Sequence, residues 1–554
     1  MKASARFALN LAAALALCGC VAIPPDTIET RPVDLAAQQA AVDRPTLDAS
    51  AREDHAAGTI NTGQFSYSTV GEGEPAPFPA EGILELTLEQ AVISALSRNR
   101  SLRIEQFEPV IAGTFVDTER AVFDPVLFAR GSYERYRDRS LDDALARYFS
   151  IDGSLSTLRG GVSQSLPSGT DLTLDLTLSN READNNDFSE EARLGLNLTQ
   201  ALLRDYGVAV NLVSYRQAQT SALASTYTLR GFTENLVAAV ENAYWDYALS
   251  VRQVEIFEES FNIASQQLAN IRSRIAVGQL AETEETVANA ELALREQQLI
   301  NARSAREQTR LALLKLLNPV SADGWDRQIT LSDRAIVPEV NLGSAAEHEA
   351  LAIRLRPDLN EARLKARRGE LETVQTRNGL LPRLDLFMIL GKTGYSQSFA
   401  TSFNDLDGPG FDFTIGLDYE FPVHNREAQA LDRRARATHE QALASIDNLR
   451  QLISLDVRTA LLEIDRALQQ IVASASRRAL QEEVARAEIV RFRVGTSTAL
   501  DVARVQRDLL ESQINEVEAI VNYRQALTGL YLVDGTLLLR RGIQGPGAEE
   551  VVFQ

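Results

Sequence analysis

The residue types that ordinarily do chemistry are few in this chain of 554 residues and are not placed to do it. The four histidines, His55, His348, His424 and His439, are scattered and share none of the short spacings that put two imidazoles on one metal ion. "HEAL" at His348 lacks the second histidine of a zinc protease helix. There is no G-x-S-x-G nucleophile elbow and no glycine loop of the kind that cradles phosphate. Both cysteines, Cys18 and Cys20, sit in the single stretch "LCGC", so the body of the chain has no thiol. These residues predict a protein without catalysis, resident metal or cofactor. Charge and special backbone do meet in "IVRFRVGTSTALDVARV", where Val494 and Gly495 are followed by Asp501 and Arg504, one helical turn apart.

That stretch has a counterpart. "RSRIAVGQL" begins at Arg272, and a constant offset of 217 pairs Arg274 with Arg491, Val277 with Val494, Gly278 with Gly495, Leu292 with Leu509, Ala302 with Ala519 and Leu313 with Leu530. The glycine permits a chain reversal, because a positive φ is cheap only there. Each copy follows a long proline-free interval, with none between Pro167 and Pro319 and none between Pro422 and Pro546. Leu202–Val277 and Val423–Val494 read as helix nearly throughout, and each would be roughly 110 Å long at 1.5 Å per residue. Their Ala and Leu recur at helical spacing among Gln, Glu and Arg. A narrow apolar stripe on so long a helix predicts packing against neighbouring helices rather than burial in a globule.

Strand signals stand just before each long helix. "FDFTIGLDYEF" alternates Phe411, Phe413, Ile415, Leu417, Tyr419 and Phe421 with Asp412, Thr414, Gly416, Asp418 and Glu420. Such alternation suits a tilted strand crossing a bilayer with one lipid face and one wet face, and a half-buried strand of a soluble sandwich has the same period. Asp412, Asp418 and Glu420 fall on the wet side. "DLTLDLTL" (Asp171–Leu178) and "RLGLNLT" (Arg193–Thr199) repeat the pattern. Gly195 and Gly416 precede their Val-Gly pairs by 83 and 79 residues, and "DPVLF" at Asp124 parallels "LPRLDLF" at Leu381. Each half therefore reads as helix, strands, very long helix, turn and shorter returning helix.

The formal charge of -20 and pI near 4.9 exclude a nucleic-acid binder that works through phosphates. No stretch after the N-terminus has the ~20 apolar residues of a membrane-spanning helix, which leaves a β-barrel open. Lys2 and Arg6 before the apolar run Phe7–Leu17 read as a secretory signal. The segment resembles a bacterial lipoprotein signal, which implies removal of residues 1–19 and acylation of Cys20. Val21, where an Asp would favour the inner membrane, is compatible with outer-membrane sorting. From Val21 to about Gly82 the chain is rich in Pro, Ala, Asp, Glu and Thr and reads as an extended tether.

Over about Leu86–Gly535 the chain resembles the TolC-like outer-membrane efflux protein family. The marks are "LLPRLDL" (Leu380–Leu386), "GLDYEFPVHN" (Gly416–Asn425), the two Val-Gly turns and "YRQALTGLYLVDGTL" (Tyr523–Leu537). The resemblance implies an α+β membrane protein with two tandem structural repeats per chain. Three copies would share one antiparallel transmembrane β-barrel, continued into the periplasm by a long α-helical barrel. It implies an outer-membrane channel serving a tripartite efflux pump or a type I secretion system, partnered by a periplasmic adaptor, an inner-membrane transporter and outer-membrane lipid. By position, Val277, Gly278 and Gln279, with Val494, Gly495 and Thr496, are the implied adaptor-docking tips. Asp501 and Arg504, with Ser497, Phe492 and Glu284, are the implied periplasmic gate, and Asp412, Asp418 and Glu420 the implied barrel lumen.

Several positions depart from the family's pattern. Arg504 stands at the second gate aspartate, Phe492 at a Tyr, Ser497 at an Arg and Glu284 at an Asp, so pairing of Asp501 with Arg504 between protomers is the expected closure. Ala201 replaces the usual proline at the first strand-to-helix junction. Pro125–Gly195 exceeds Pro382–Gly416 by 36 residues, which predicts either an extracellular elaboration or a strand pair beyond the family's two per half. The division expected is signal peptide 1–19, tether 20–85, first repeat 86–320, linker 321–344, second repeat 345–540 and C-terminal tail 541–554. A periplasmic adaptor or a structural coiled-coil lipoprotein is the alternative, although adaptors usually carry one hairpin and a coiled coil needs no strands.

Overall fold

The computed structural model describes Thr30, Arg31 and residues 83–142, 147–183, 186–318, 322–333, 336–338 and 340–551. The signal segment, Cys20 and nearly all of the tether lie outside the described residues. Three helices come first: α1 (Leu88–Arg98), α2 (Arg100–Glu105) and α3 (Phe107–Ala121). A capping box starts α1, with the Thr87 hydroxyl accepting from the Gln90 amide and the Gln90 side chain accepting from the Thr87 amide. Four strands follow, β1 (Val126–Asp142), β2 (Arg147–Leu166), β3 (Thr170–Ala183) and β4 (Asn186–Ala201). A helical hairpin comes next, α4 (Val213–Ala276) and α5 (Thr283–Leu317). The second half runs through α6 (Ala345–Leu355), α7 (Pro357–Asn378), β5 (Arg383–Ser396), β6 (Phe411–Glu420), α8 (Arg426–Arg493) and α9 (Ala499–Val533). Helices α4 and α8, of 64 and 68 residues, are each roughly 100 Å long.

The six strands make one sheet in chain order with every neighbour antiparallel. The first half thus supplies four strands, and the surplus between Pro125 and Gly195 is a strand pair built into the sheet rather than a loop on it. Paired residues share a face, so the register divides the sheet in two. Leu127, Val162, Leu174, Leu196, Leu390 and Phe413 form one row across all six strands. Phe128, Gly161, Asp175, Gly195, Gly391 and Asp412 form the adjacent row on the opposite face. Towards the helical end one face is therefore apolar from edge to edge and the other carries Arg159, Asp175, Arg193 and Asp412; farther out the apolar face also carries Lys392 and the paired Arg137 and Asp152.

The helices named above meet the sheet at one end, from which β1, β3 and β5 lead away and to which β2, β4 and β6 return, while a short helix, Phe399–Asn404, sits at the far end between β5 and β6. The turn Pro167–Gly169 between β2 and β3 also lies at that end and is docked on the junction leading to α4. Asn211 donates to the carbonyls of Pro167, Asp205 and Gly207, and the Gly207 amide donates to the Ser168 carbonyl. Gly169, at φ +83°, presses so close to the Asp205 carbonyl that a Cβ has no room. The extra turn accounts for the departure at Ala201. The chain needs residues 202–212, with positive φ at Asp205 and Gly207, to pass around it, and α4 begins at Val213 rather than at Leu202. The second junction has no such obstacle and runs from Phe421 to Asn425, five residues that include Pro422.

The helices are held where the hairpins are crossed by short segments from both halves. Leu84–Leu86 pairs in parallel with Ile329–Leu331, over a core that includes fully buried Val240, Tyr244, Leu313, Leu317, Leu530 and Leu537. Burying a side chain of this size stabilises by roughly 1.5–3 kcal/mol, so this girdle fixes the hairpins far from either tip. Thr30–Arg31 pairs with Glu550–Val551, and the Val551 amide donates to Asn360. Among the described residues no helix is long and apolar enough to cross a membrane.

Candidate functional site at the hairpin tips and the polar sheet face

The two tips are built alike, which explains the repeated Arg and Val-Gly. At the first, Gly278 takes φ +72°, its amide donates to the Ile275 carbonyl at 2.9 Å, and the Gln279 amide donates to the Arg274 carbonyl at 2.8 Å. At the second, Gly495 takes φ +82°, its amide donates to Phe492 at 3.2 Å, and the Thr496 amide donates to Arg491 at 3.0 Å. This is the Schellman closure, with an arginine in the last turn where the helix dipole favours a cation. Val277 and Val494 stand at the apices, 69% and 70% exposed. Nothing lies within 4 Å of where a Cβ on either glycine would be, so these glycines serve the backbone.

The residues beyond the tips join the two hairpins. The Glu284 carboxylate of α5 accepts from the Ala499 amide at 3.1 Å, at the start of α9. The Arg274 guanidinium of α4 lies 5.5 Å from the centre of the Phe492 ring of α8. Phe492 is buried with Leu268, Ile271, Ala288, Ala499 and Val502, so it is a core residue between the hairpins. Ser497 donates to Glu488. Asp501 and Arg504 are both exposed and one turn apart on α9. The Asp501 carboxylate accepts from the Thr498 hydroxyl at 2.7 Å, while that hydroxyl accepts from the Asp501 amide, so Asp501 also starts the helix. The signal for this was the T-x-x-D spacing before an apolar run. Arg274 as a link between hairpins could not be read, because its partner is 218 residues away.

On the polar face of the sheet, Asp412, Asp418 and Glu420 lie on one side of β6 as the alternation requires. They are not equivalent. Arg193 of β4 reaches across β5 to Asp412 at 2.6 Å, passing where Gly391 has no side chain. Arg159 of β2 forks onto Asp175 of β3 at 2.8 and 2.9 Å, and Asn197 donates to the same carboxylate. Asp418 pairs across the strands with Asp385, which accepts from Arg383 at 2.6 Å, and Glu420 lies opposite Arg383 at the helical end. Among the described residues no three His, Cys, Asp or Glu side chains gather into a metal site.

A sheet with one apolar and one charged face, set end-on to helical hairpins of roughly 100 Å, is the architecture of a channel protein that enters a membrane as strands. The profile of the family described as "Outer membrane efflux protein" matches residues 163–319 and 349–536. The chain belongs to that family, whose place is the bacterial outer membrane. A pyoverdine export outer membrane protein of Pseudomonas putida, OpmQ, is 27% identical over 252 residues, covering 41% of this chain and 50% of that protein. The chain thus spans about half the length of this curated relative. The Campylobacter jejuni CmeC outer membrane channel superposes with a TM-score of 0.61 at 16% identity, covering 89% of this chain and 94% of that one. The outer-membrane channel OprN gives 0.61 at 17% identity, with 81% and 89% covered. The open state of the Neisseria gonorrhoeae MtrE channel gives 0.57 at 18% identity, with 81% and 89% covered. These structures share the fold, and the expected TolC-like α+β architecture is the observed one.

Proposed function

We propose that the protein is the outer-membrane channel of a tripartite efflux pump or a type I secretion system, passing solutes outward from a periplasmic adaptor and an inner-membrane transporter. The observation that carries this is the apolar row running unbroken across all six strands, from Leu127 to Phe413. In water such a face would demand a covering layer, whereas lipid covers it without one. The periplasmic adaptor reading leaves this face unexplained. A homotrimer is proposed because apolar side chains remain exposed along single helix faces, such as Phe107, Ile111 and Phe115 on α3 and Leu455, Leu462 and Leu480 on α8. Lateral packing of sister chains would cover them. Acylation of Cys20 would add a lipid anchor.

Within this reading Val277, Gly278 and Gln279, with Val494, Gly495 and Thr496, form the adaptor-docking rim. Exposed valines beside side-chain-free glycines let a partner helix approach closely. Asp501 and Arg504 would face their counterparts near the threefold axis, forming alternating ion pairs across the entrance, while Glu284 and Phe492 hold the hairpins together behind it and Ser497 braces its own turn through Glu488. Planar bilayer recording tests both levels. The purified protein should give discrete conductance steps, and Asp501→Ala or Arg504→Ala should change conductance or cation selectivity. No steps at all would reject the channel, whereas steps unaltered in both variants would reject only this gate.

A further inference from the structure

The family profile begins its match at residue 163, three residues before β2 ends at Leu166. The hairpin β1–β2 thus lies almost wholly outside what the profile matches, yet it is full wall. Its register with β3 is continuous from Gly153–Ala183 to Leu166–Thr170, and Leu127, Tyr133, Leu158 and Val162 fall on the same face as the leucines of β3 and β4, although Phe128 and Leu155 lie on the polar side. The Pro167–Gly169 turn is fastened to the junction below, and Gln164 of β2 donates to the Phe123 carbonyl at the end of the entering helix. A loop laid over a barrel would need none of these features.

Resting on the trimeric reading above, we infer that three copies close through β1 of one and β6 of the next into an eighteen-stranded barrel, half as wide again as the two-strands-per-half pattern would make. The two edges are complementary. β1 leads away from the helices and β6 returns, so they meet antiparallel. Leu127 and Tyr133 on β1 face the same side as Phe411, Phe413 and Ile415 on β6. On the polar side, β6 presents the carboxylate of Asp412, and β1 presents Arg130, paired in register with Arg159. Arg130 of the next copy would extend the series Arg159, Asp175, Arg193 and Asp412 around the ring.

The polar row shows how such a lumen stays open. Gly161, Gly195 and Gly391 stand beside the two aspartates in that row, and a Cβ at each would press on the aspartates or on Arg193. Without them the arginines lie along the wall rather than across the passage. An eighteen-stranded barrel leaves an aqueous channel, which suits large or hydrated cargo rather than a narrow filter.

The strand number can be read from distances between sister copies. Spin labels would be placed separately at Thr414→Cys and Ile415→Cys, neighbours on opposite faces of β6, in the full-length protein purified in detergent. Their mean bracketed separation between copies should be roughly 30 Å for eighteen strands against roughly 20 Å for twelve, from 4.8 Å strand spacing and a tilt near 40°. The shorter distance would overturn the inference while leaving the trimer intact. No inter-copy distance, with a monomer mass in detergent, would overturn the trimeric reading itself. Arg130→Glu should lower the trimer's resistance to dissociation by SDS and Arg130→Lys should keep it; unchanged resistance in Arg130→Glu would remove Arg130 from the ring.

Discussion

At the scale of single residues, the chain's charges divide into those already satisfied within one copy and those left for other partners. Glu284 is satisfied: it caps the amide end of α9 from the neighbouring hairpin. Losing such a contact costs about 1 kcal/mol, enough to shift a closed-to-open balance roughly fivefold. Glu284→Ala should therefore raise the open fraction in bilayer recordings by about that factor. Asp412 is satisfied by Arg193, whereas Asp418 and Glu420 stand near the helical end around a single Arg383. A lumen lined by these acids would therefore owe its preference for cations to Asp418 and Glu420 rather than to all three. Asp418→Asn with Glu420→Gln should lower cation over anion permeability severalfold, and a ratio unchanged by that pair would contradict the assignment. The acids were legible from alternation alone. Their neutralisation was not, because Arg193 lies 219 residues from Asp412 and meets it only through sheet register.

Among the elements, the hairpins are secured by buried ionic contacts at the girdle. Glu241 of α4 is fully buried and accepts from both Arg541 and Thr528. Glu241→Ala would leave Arg541 unpaired and should destabilise the protein by about 2–3 kcal/mol, read as a lower denaturation midpoint. Burial also pushes the Glu234 carboxyl up to about 8, although Arg230 lies 3.0 Å away. The folded protein then holds a proton that the unfolded chain releases near 4.5, so this contribution is fully present below that pH and is lost as pH rises through 8. Thermal stability should fall between pH 5 and 8.5 by more in the wild type than in Glu234→Gln. Element order was readable because helices this long and strands this regular leave a clear period. The start of α4 was misplaced, since a turn of the sheet displaces it; Ala201 in place of proline marked the junction as different without recording how far the helix start moves. The surplus of 36 residues signalled something extra, but only cross-strand pairing could decide between strand and loop.

At the scale of the whole molecule, the described residues leave three surfaces without partners: the sheet has two open edges in β1 and β6, its apolar face has no covering layer, and exposed leucines run along α8. Open strand edges invite pairing, and lipid plus two sister chains would satisfy all three deficits together. Composition gave no hint of this, since 45% apolar and 24% charged residues would suit a soluble domain equally well. The distribution of those residues between two faces is what distinguishes them. The account therefore turns on the mass of the particle extracted from membranes in mild detergent, measured by native mass spectrometry. It predicts a particle of three chains that precipitates when detergent is withdrawn. A single chain that remains dissolved without detergent would contradict it.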